Sequence, residues 1–384
     1  MRRRGAQGSE PARAIAGATT SDLPHLFERS ERSERSESCG RPRGRAPQGS
    51  RTRQGPTAAI GAAATRPPPR LCALDLAQAS PPAPVDVPFG DGRGLAFEPR
   101  ASRGGLFAAS GVNAREGEIR ANGLSFHYVD EGSGPPVLLV HGSIADYREW
   151  SRQIAPLSQH YRVIVYSRRY HWPNSPPGKD ADATLDRQAD DLEALIRALG
   201  IAPVHIVGHS YGGATALVVA LRRPEMVRSL VLAEPAVGGV LGAEGRKGAL
   251  AEEGRAVRAE MKEAFASGNP ERIARTYASR VAPGEFDNAS PEVRQMLMAN
   301  VAAFELDFQS ARPRFTCEDA RQIGAPSLVV SGSRSAAGLQ RISEVLASCL
   351  QAGSLLKIPQ ATHWLQADHA EVFNAAVVDF LAKH

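Results

Sequence analysis

The hexapeptide GHSYGG, Gly208–Gly213, sets a serine among small residues directly after the apolar run VHIV and directly before ATALVVALRRP. A serine hydroxyl is a weak nucleophile at its free pKa. It does chemistry when a base takes its proton and when hydrogen-bond donors receive the charge that develops on the attacked carbonyl. A strand, a sharp turn and a helix supply an exposed hydroxyl and the first of those donors in one place. The turn lifts the Ser210 side chain above the sheet, Gly208 and Gly212 fill its two crowded positions, and the helix start offers backbone N–H groups, that of Tyr211 first. The run VLLVHGS offers a second donor, because the loop after Val140 carries His141, Gly142 and Ser143. The N–H of Ser143 can face the same oxygen, Gly142 permits the close approach, and His141 is read as a brace of that loop. The chemistry these groups could perform is acyl transfer.

A base must then come from the 10 histidines. His205 lies in a strand interior, and His209, inside the turn, cannot readily bend back onto its neighbour. His363, in KIPQATHWL, follows the last apolar run and precedes DHAEVFNAAVVDFLAKH, which reads as a terminal helix. An imidazole on such a loop, with a pKa near neutrality, suits a proton shuttle for Ser210.

The elements that must position these residues are legible as short apolar runs separated by amphipathic segments. GEIRANGLSFHYVDEG reads as two strands around an Asn-Gly turn. The runs Val137–Val140, Tyr161–Ser167, Val204–Ser210, Ser229–Pro235, Ser327–Gly332 and Ser354–Pro359 are apolar without strict alternation, which suits strands covered on both faces. TLDRQADDLEALIRALG puts Leu185, Ala189, Leu192, Leu195, Ile196 and Leu199 along one helical stripe that Gly200 stops. Strands alternating with such helices predict an α/β fold, a mostly parallel sheet with helices on both faces. Between Pro235 and Gly324 the alternation fails. That stretch is rich in Ala, Glu, Arg and Met, and it is expected to fold as a helical cap over 236–323, leaving 117–235 and 324–384 as the core.

Composition narrows the partners. Residues 1–70 hold 14 Arg and 6 acidic residues, a net of +8, so a chain of net charge +5 leaves −3 for the remaining 314 residues. The basic character belongs to an Arg-, Pro-, Gly- and Ser-rich extension, residues 1–95, in which ERS repeats three times. It is expected to be disordered, being too polar to offset the entropy of ordering. Read functionally, that arm would touch nucleic acid or anionic lipid, but a nucleic-acid partner is not expected for the folded part. No segment approaches 18 consecutive apolar residues, so no membrane span is expected, and the basic start lacks the apolar core of an export signal. Cys39, Cys72, Cys317 and Cys349 form no CxxC pair. They suggest neither a disulfide framework nor a zinc site and are compatible with a reducing, cytoplasmic compartment. Without HExxH, a carboxylate cluster or GxGxxG, neither a metal nor a cofactor is expected. Oligomeric state is not readable.

HG after one strand, GHSYGG after another and His363 before a terminal helix occur in the order found in the α/β-hydrolase superfamily, which residues from about Gly117 to the C-terminus resemble. The resemblance implies an eight-stranded sheet, a helical cap and a serine, acid, histidine triad. The family often carries its acid after the strand that here reads SLVVSG, but Ser333–Gly338 has no Asp or Glu. Some members draw it from the end of the preceding strand, here SLVLAEP, which makes Glu234 the candidate partner of His363. Pairing of Glu234 with Arg168 or Arg169, or helix capping by it, is the competing reading; Asp319 and Asp368 are the fallback acids. Serine at residue 210 departs from the aspartate that members opening epoxides or displacing halide generally use there. The loop YSRRYHWPNSPPG is bulkier and more cationic than its family counterpart. Tyr147, Trp150, Tyr170, Trp172 and Trp364 are expected either to wall a pocket for a small-molecule substrate or simply to brace the loops. The implied activity is hydrolysis of a carboxylic ester through an acyl-enzyme. Lactone, thioester or carbon–carbon hydrolysis, or ligand binding by a weak or inactive hydrolase-like protein, remain alternatives.

Overall fold

The computed structural model describes residues 114–310 and 314–384; the expected extension, residues 1–95, lies outside them. Strands β1 (Arg115–Ala121) and β2 (Leu124–Glu131) form a hairpin. Its two turn residues, Asn122 (φ 44°) and Gly123 (φ 78°), both take the left-handed conformation that matches the twist of a tight hairpin. The remaining strands are β3 (Pro136–Val140), β4 (Arg162–Tyr166), β5 (Val204–His209), β6 (Val227–Ala233), β7 (Ser327–Gly332) and β8 (Gly353–Ile358). They lie in one sheet of eight in the order β1-β2-β4-β3-β5-β6-β7-β8, with only the β1-β2 and β2-β4 pairs antiparallel.

The central strands are apolar on both faces because each face has its own helical cover. Leu138, Val140, Ile164, Ile206, Leu230 and Leu232 join one core with α2 (Leu185–Leu199), α3 (Tyr211–Arg222) and α10 (Ala337–Cys349). Val137, Leu139, Val163, Val165, Val207, Val231 and Val330 join the other, with α1 (Ser151–Ser158) and α12 (Ala370–Leu381). Successive residues of a strand alternate between the two cores, the side-chain period of a pleated strand.

Between β6 and β7 the chain leaves the sheet for α4 (Gly248–Ala266), α5 (Pro270–Val281), α6 (Glu285–Asn288), α7 (Pro291–Ala299), α8 (Val301–Gln309) and α9 (Cys317–Ala320). Met261, Ala264, Ile273, Ala278, Phe286, Leu297 and Phe304 give this helical cap a third apolar core, which Ile144 and Ala145 of the core domain enter. Asn300 ties the two layers by accepting from the Trp172 N–H (2.8 Å) and donating to Asp146 (2.7 Å).

Cys317 and Cys349 are joined in a disulfide. Their separation of 32 residues gives no hint of this in the sequence, since only the packing of α9 beside α10 brings the two together. The dispersed cysteines therefore no longer speak for a reducing compartment.

Candidate active site

Ser210 joins the end of β5 to α3 with φ 50° and ψ −114°, a backbone conformation that L-residues seldom adopt. Three neighbours explain why only glycines fit around it. A Cβ on Gly208 would lie 2.7 Å from the Gly213 Cα, and one on Gly212 would lie 2.2 Å from the Val140 carbonyl oxygen. At Gly213 the Pro235 side chain stands 2.9 Å from the same position. The turn is pinned by backbone bonds as well: the Ser210 N–H donates to the Ala233 carbonyl (2.9 Å) and its carbonyl accepts from Ala214 and Ala236.

Glu234 follows β6 and is fully buried, also at positive φ (42°). His209 and Ala233 are paired across β5 and β6, so Ser210 and Glu234 leave the sheet side by side. Glu234 accepts from the Ser331 hydroxyl (2.8 Å) and the Gly332 N–H (2.9 Å) at the end of β7, and from His363 Nδ1 at 2.7 Å. The place where the family often carries an acid is thus occupied by small donors that hold a carboxylate from the end of the preceding strand, β6. Burial opposes ionisation of Glu234, but the His363 hydrogen bond and charge together with the Gly332 N–H hold its pKa below the usual carboxylate value. His363 is itself buried, and burial with the neighbouring His209 lowers its pKa despite Glu234, so the ring is neutral at neutral pH.

Neither Arg168 nor Arg169 pairs with Glu234. Arg168 pairs with Asp307 of the cap (2.8 Å) and Arg169 with Asp191 (2.7 Å). Asp319 is the N-terminal capping-box residue of α9, and Asp368 accepts from Thr362.

The loop after β3 is held from several sides. His141 Nε2 accepts the Arg168 N–H and Nδ1 donates to the Gly142 carbonyl, which assigns a neutral ring to this brace. The Gly142 carbonyl also accepts from the Arg168 guanidinium (3.0 Å), His171 Nε2 donates to the Ser143 carbonyl (2.8 Å), and the Gly142 N–H donates to Glu149 (3.1 Å). The Ser143 N–H therefore belongs to a fixed loop, and that of Tyr211 to the first residue of α3.

A cavity of about 450 Å³ opens between core and cap. It is lined by Gly142, Ser143 and His209 below, Tyr277, Met296 and Leu297 of the cap above, and Trp364 at the side. Of the five aromatic residues expected at a pocket, Trp364 alone lines it. Trp150 is fully buried in the core against Phe373, Tyr147 stacks on Trp172, and Tyr170 lies beside Arg169. Arg148 covers the outer face of Trp172, 3.9 Å from its centroid. Tyr147, Tyr170 and Trp172 thus pack with one another and with Arg148 and Arg169, while the buried Arg168 guanidinium faces the Tyr211 ring at 4.9 Å.

Sequence reasoning missed three polar residues of this region. Tyr277, on α5, lines the cavity close to Ser210, and burial pushes its phenol up to about 12. Glu149 and His209 pair at 3.0 Å beneath the cavity. Glu149 lies in a short 3-10 turn, Tyr147–Trp150, whose sequence carries no motif, and Tyr277 is one of many residues in an unpatterned helical insertion. Among the described residues no group of His, Cys, Asp and Glu is arranged to hold a metal ion, and no helix is long and apolar enough to cross a membrane.

Sheet order, cap insertion and turn geometry define an α/β-hydrolase, and residues 135–370 match the alpha/beta hydrolase fold family, to which the chain belongs. Among similar proteins, the 2-hydroxy-6-oxononadienedioate/2-hydroxy-6-oxononatrienedioate hydrolase 2 of Pseudomonas putida is 30% identical over 287 residues, 70% of this chain and 94% of that protein. The sn-1-specific diacylglycerol lipase ABHD11 of Mus musculus is 25% identical over 295 residues, 72% of this chain and 91% of the relative. Among solved structures, a thermophilic esterase from Thermogutta terrifontis superposes with a TM-score of 0.58 at 25% identity, covering 70% of this chain and 98% of that one.

Proposed function

We propose that the protein is a serine hydrolase that cleaves a small-molecule carboxylic ester through an acyl-enzyme. One observation carries the reading. The Nδ1 atom of His363 lies 2.7 Å from a buried carboxylate, Glu234, that leaves the sheet beside Ser210. With Nδ1–H donated to Glu234, Nε2 is the ring atom free to act as base. In this mechanism Ser210 Oγ attacks the substrate carbonyl as its proton passes to His363 Nε2. The tetrahedral oxyanion accepts from the N–H groups of Ser143 and Tyr211, and the Glu234 carboxylate stabilises the imidazolium. Collapse of the intermediate expels the alcohol, protonated by His363, and leaves the acyl group on Ser210. Water, deprotonated by His363, then releases the acid and restores the serine.

The cavity between core and cap is of a size for a compact acyl or aryl ester. The test is Ser210→Ala, assayed on short p-nitrophenyl esters. Activity should vanish with an unchanged circular-dichroism spectrum, and retained turnover would dismiss the nucleophile. A second reading, hydrolysis of a carbon–carbon bond, is favoured by the likeness to dienedioate hydrolases. Assaying esters, lactones, thioesters and vinylogous diketones side by side separates the two.

A further inference from the structure

His209 does nothing in the mechanism above, yet it is buried, it ends β5 immediately before Ser210, and its ring centroid is 4.6 Å from that of His363. Both of its nitrogens face acceptors and, unlike those of His171, which face two backbone carbonyls, one faces a carboxylate. Nε2 lies 3.0 Å from the His363 carbonyl oxygen, which can only accept. Nδ1 lies 3.0 Å from Glu149 Oε1, which as a carboxylate can also only accept. A neutral imidazole has one N–H and cannot satisfy both. Gln366 fits this pattern once its amide is turned over. Its Nε2 is placed 3.2 Å from His209 Nδ1 while its own Oε1 is buried without a partner, and turning the amide over would set that oxygen against an Nδ1–H.

We infer that His209 is a resident imidazolium, held by Glu149, whose fixed charge keeps the neighbouring His363 unprotonated. Burial disfavours the charge, but Glu149, and after it Glu234, raise the His209 pKa above its ordinary value. The same two oxygens of Glu149 that hold His209 and the Gly142 N–H link the serine turn to the loop bearing the Ser143 N–H. The groups facing the two rings are Glu149 from the 3-10 turn, Glu234 from the end of β6, Gln366 from α11 (Leu365–Asp368) and the Tyr277 phenol from α5, which is uncharged. Arg148 and Arg152 at the cavity wall are engaged by Asp146 and the Ala367 carbonyl. His209 is thus a positioning residue that acts through His363. Like charges on adjacent buried imidazoles are costly, so a cation at residue 209 disfavours a second one at residue 363. Its effect on His363 rests on the proposed role of that residue as base; its charge state does not.

Nitrogen-15 NMR of the histidine rings in the full chain, with the His209 ring signals assigned through bonds from its own backbone resonances in the wild-type protein, reads the charge without substrate. At pH 7.5 both His209 nitrogens should carry protons. A ring with a single N–H at that pH would overturn the inference, whether or not Ser210→Ala abolishes turnover. In the kinetic arm, His209→Gln should move the acid limb of kcat/KM upward by about one pH unit, since removal of one cation lets His363 protonate more readily. Glu149→Gln should move it in the same direction by less, because that variant also removes a nearby carboxylate. An unmoved limb in a folded His209→Gln protein would contradict the coupling. Failure of that variant to fold leaves the ring measurement on the wild-type protein decisive.

Discussion

The Glu234 carboxylate gives His363 its orientation by accepting from Nδ1, while Ser331 and Gly332 hold the carboxylate itself. Glu234→Gln keeps the bulk and one acceptor but turns an amide N–H toward Nδ1, which favours the tautomer with its proton on Nε2, the wrong one for a base. Turnover should fall by about 10³- to 10⁴-fold with the melting temperature little changed, measured by ester hydrolysis and thermal unfolding. Near-normal turnover would move the acid role elsewhere. The lowered pKa of His363 sets a second expectation. Because the ring resists protonation, the acid limb of kcat/KM in the wild-type enzyme should lie below the 6.5 of a free imidazole, and a limb above that value would contradict the neutral ring. At this scale the sequence marked Ser210, His363 and Glu234 as candidates, since each follows an apolar run, but it left an arginine pair or a helix cap open for Glu234. It gave no sign of Glu149, His209 as a partner of Glu149, or Tyr277, whose positions depend on how distant segments pack.

The serine turn, the loop after β3 and the cap meet as three elements. The first two are fixed to each other by contact distances that leave no room for a methyl group: Gly212→Ala would force a Cβ within 2.2 Å of the Val140 carbonyl. That variant should yield little soluble protein or lose activity together with cooperative unfolding; normal melting and turnover would refute the packing. The cap is fastened by the buried pair of Arg168 and Asp307. Asp307→Asn leaves a buried guanidinium short of its countercharge, so a loss of about 3 kcal/mol or more is expected in denaturant unfolding. The central strands β3 to β7 were legible in the sequence to within two residues because two-sided burial makes each an apolar run, whereas β8, expected to be covered on both faces, is a largely exposed edge strand. The cap was legible only as a gap in that rhythm, and for the aromatic residues the sequence left a pocket wall and a loop brace both open. Tyr170 lies beside Arg169, while Tyr147 stacks on Trp172 and Arg148 packs over Trp172, contacts that arise only when the two loops fold against each other.

Across the whole molecule, the described residues form one eight-stranded sheet with helices on both faces and a helical cap inserted before β7. The Cys317–Cys349 bond closes a loop of about 32 residues that contains all of β7. Constraining such a loop in the unfolded chain contributes about 3–4 kcal/mol on the chain-entropy account, so reduction should lower the melting temperature by several degrees. An identical melting curve in excess reductant would show the bond to be irrelevant to stability. The central claim, that one serine among all nucleophiles of the chain carries the chemistry, is tested most directly by intact-mass spectrometry after treatment with a fluorophosphonate. The account predicts a single adduct per chain, mapped to Ser210 and absent in Ser210→Ala, with activity lost in step with labelling. A catalytically competent protein that takes no label, or takes it at another residue, would contradict it.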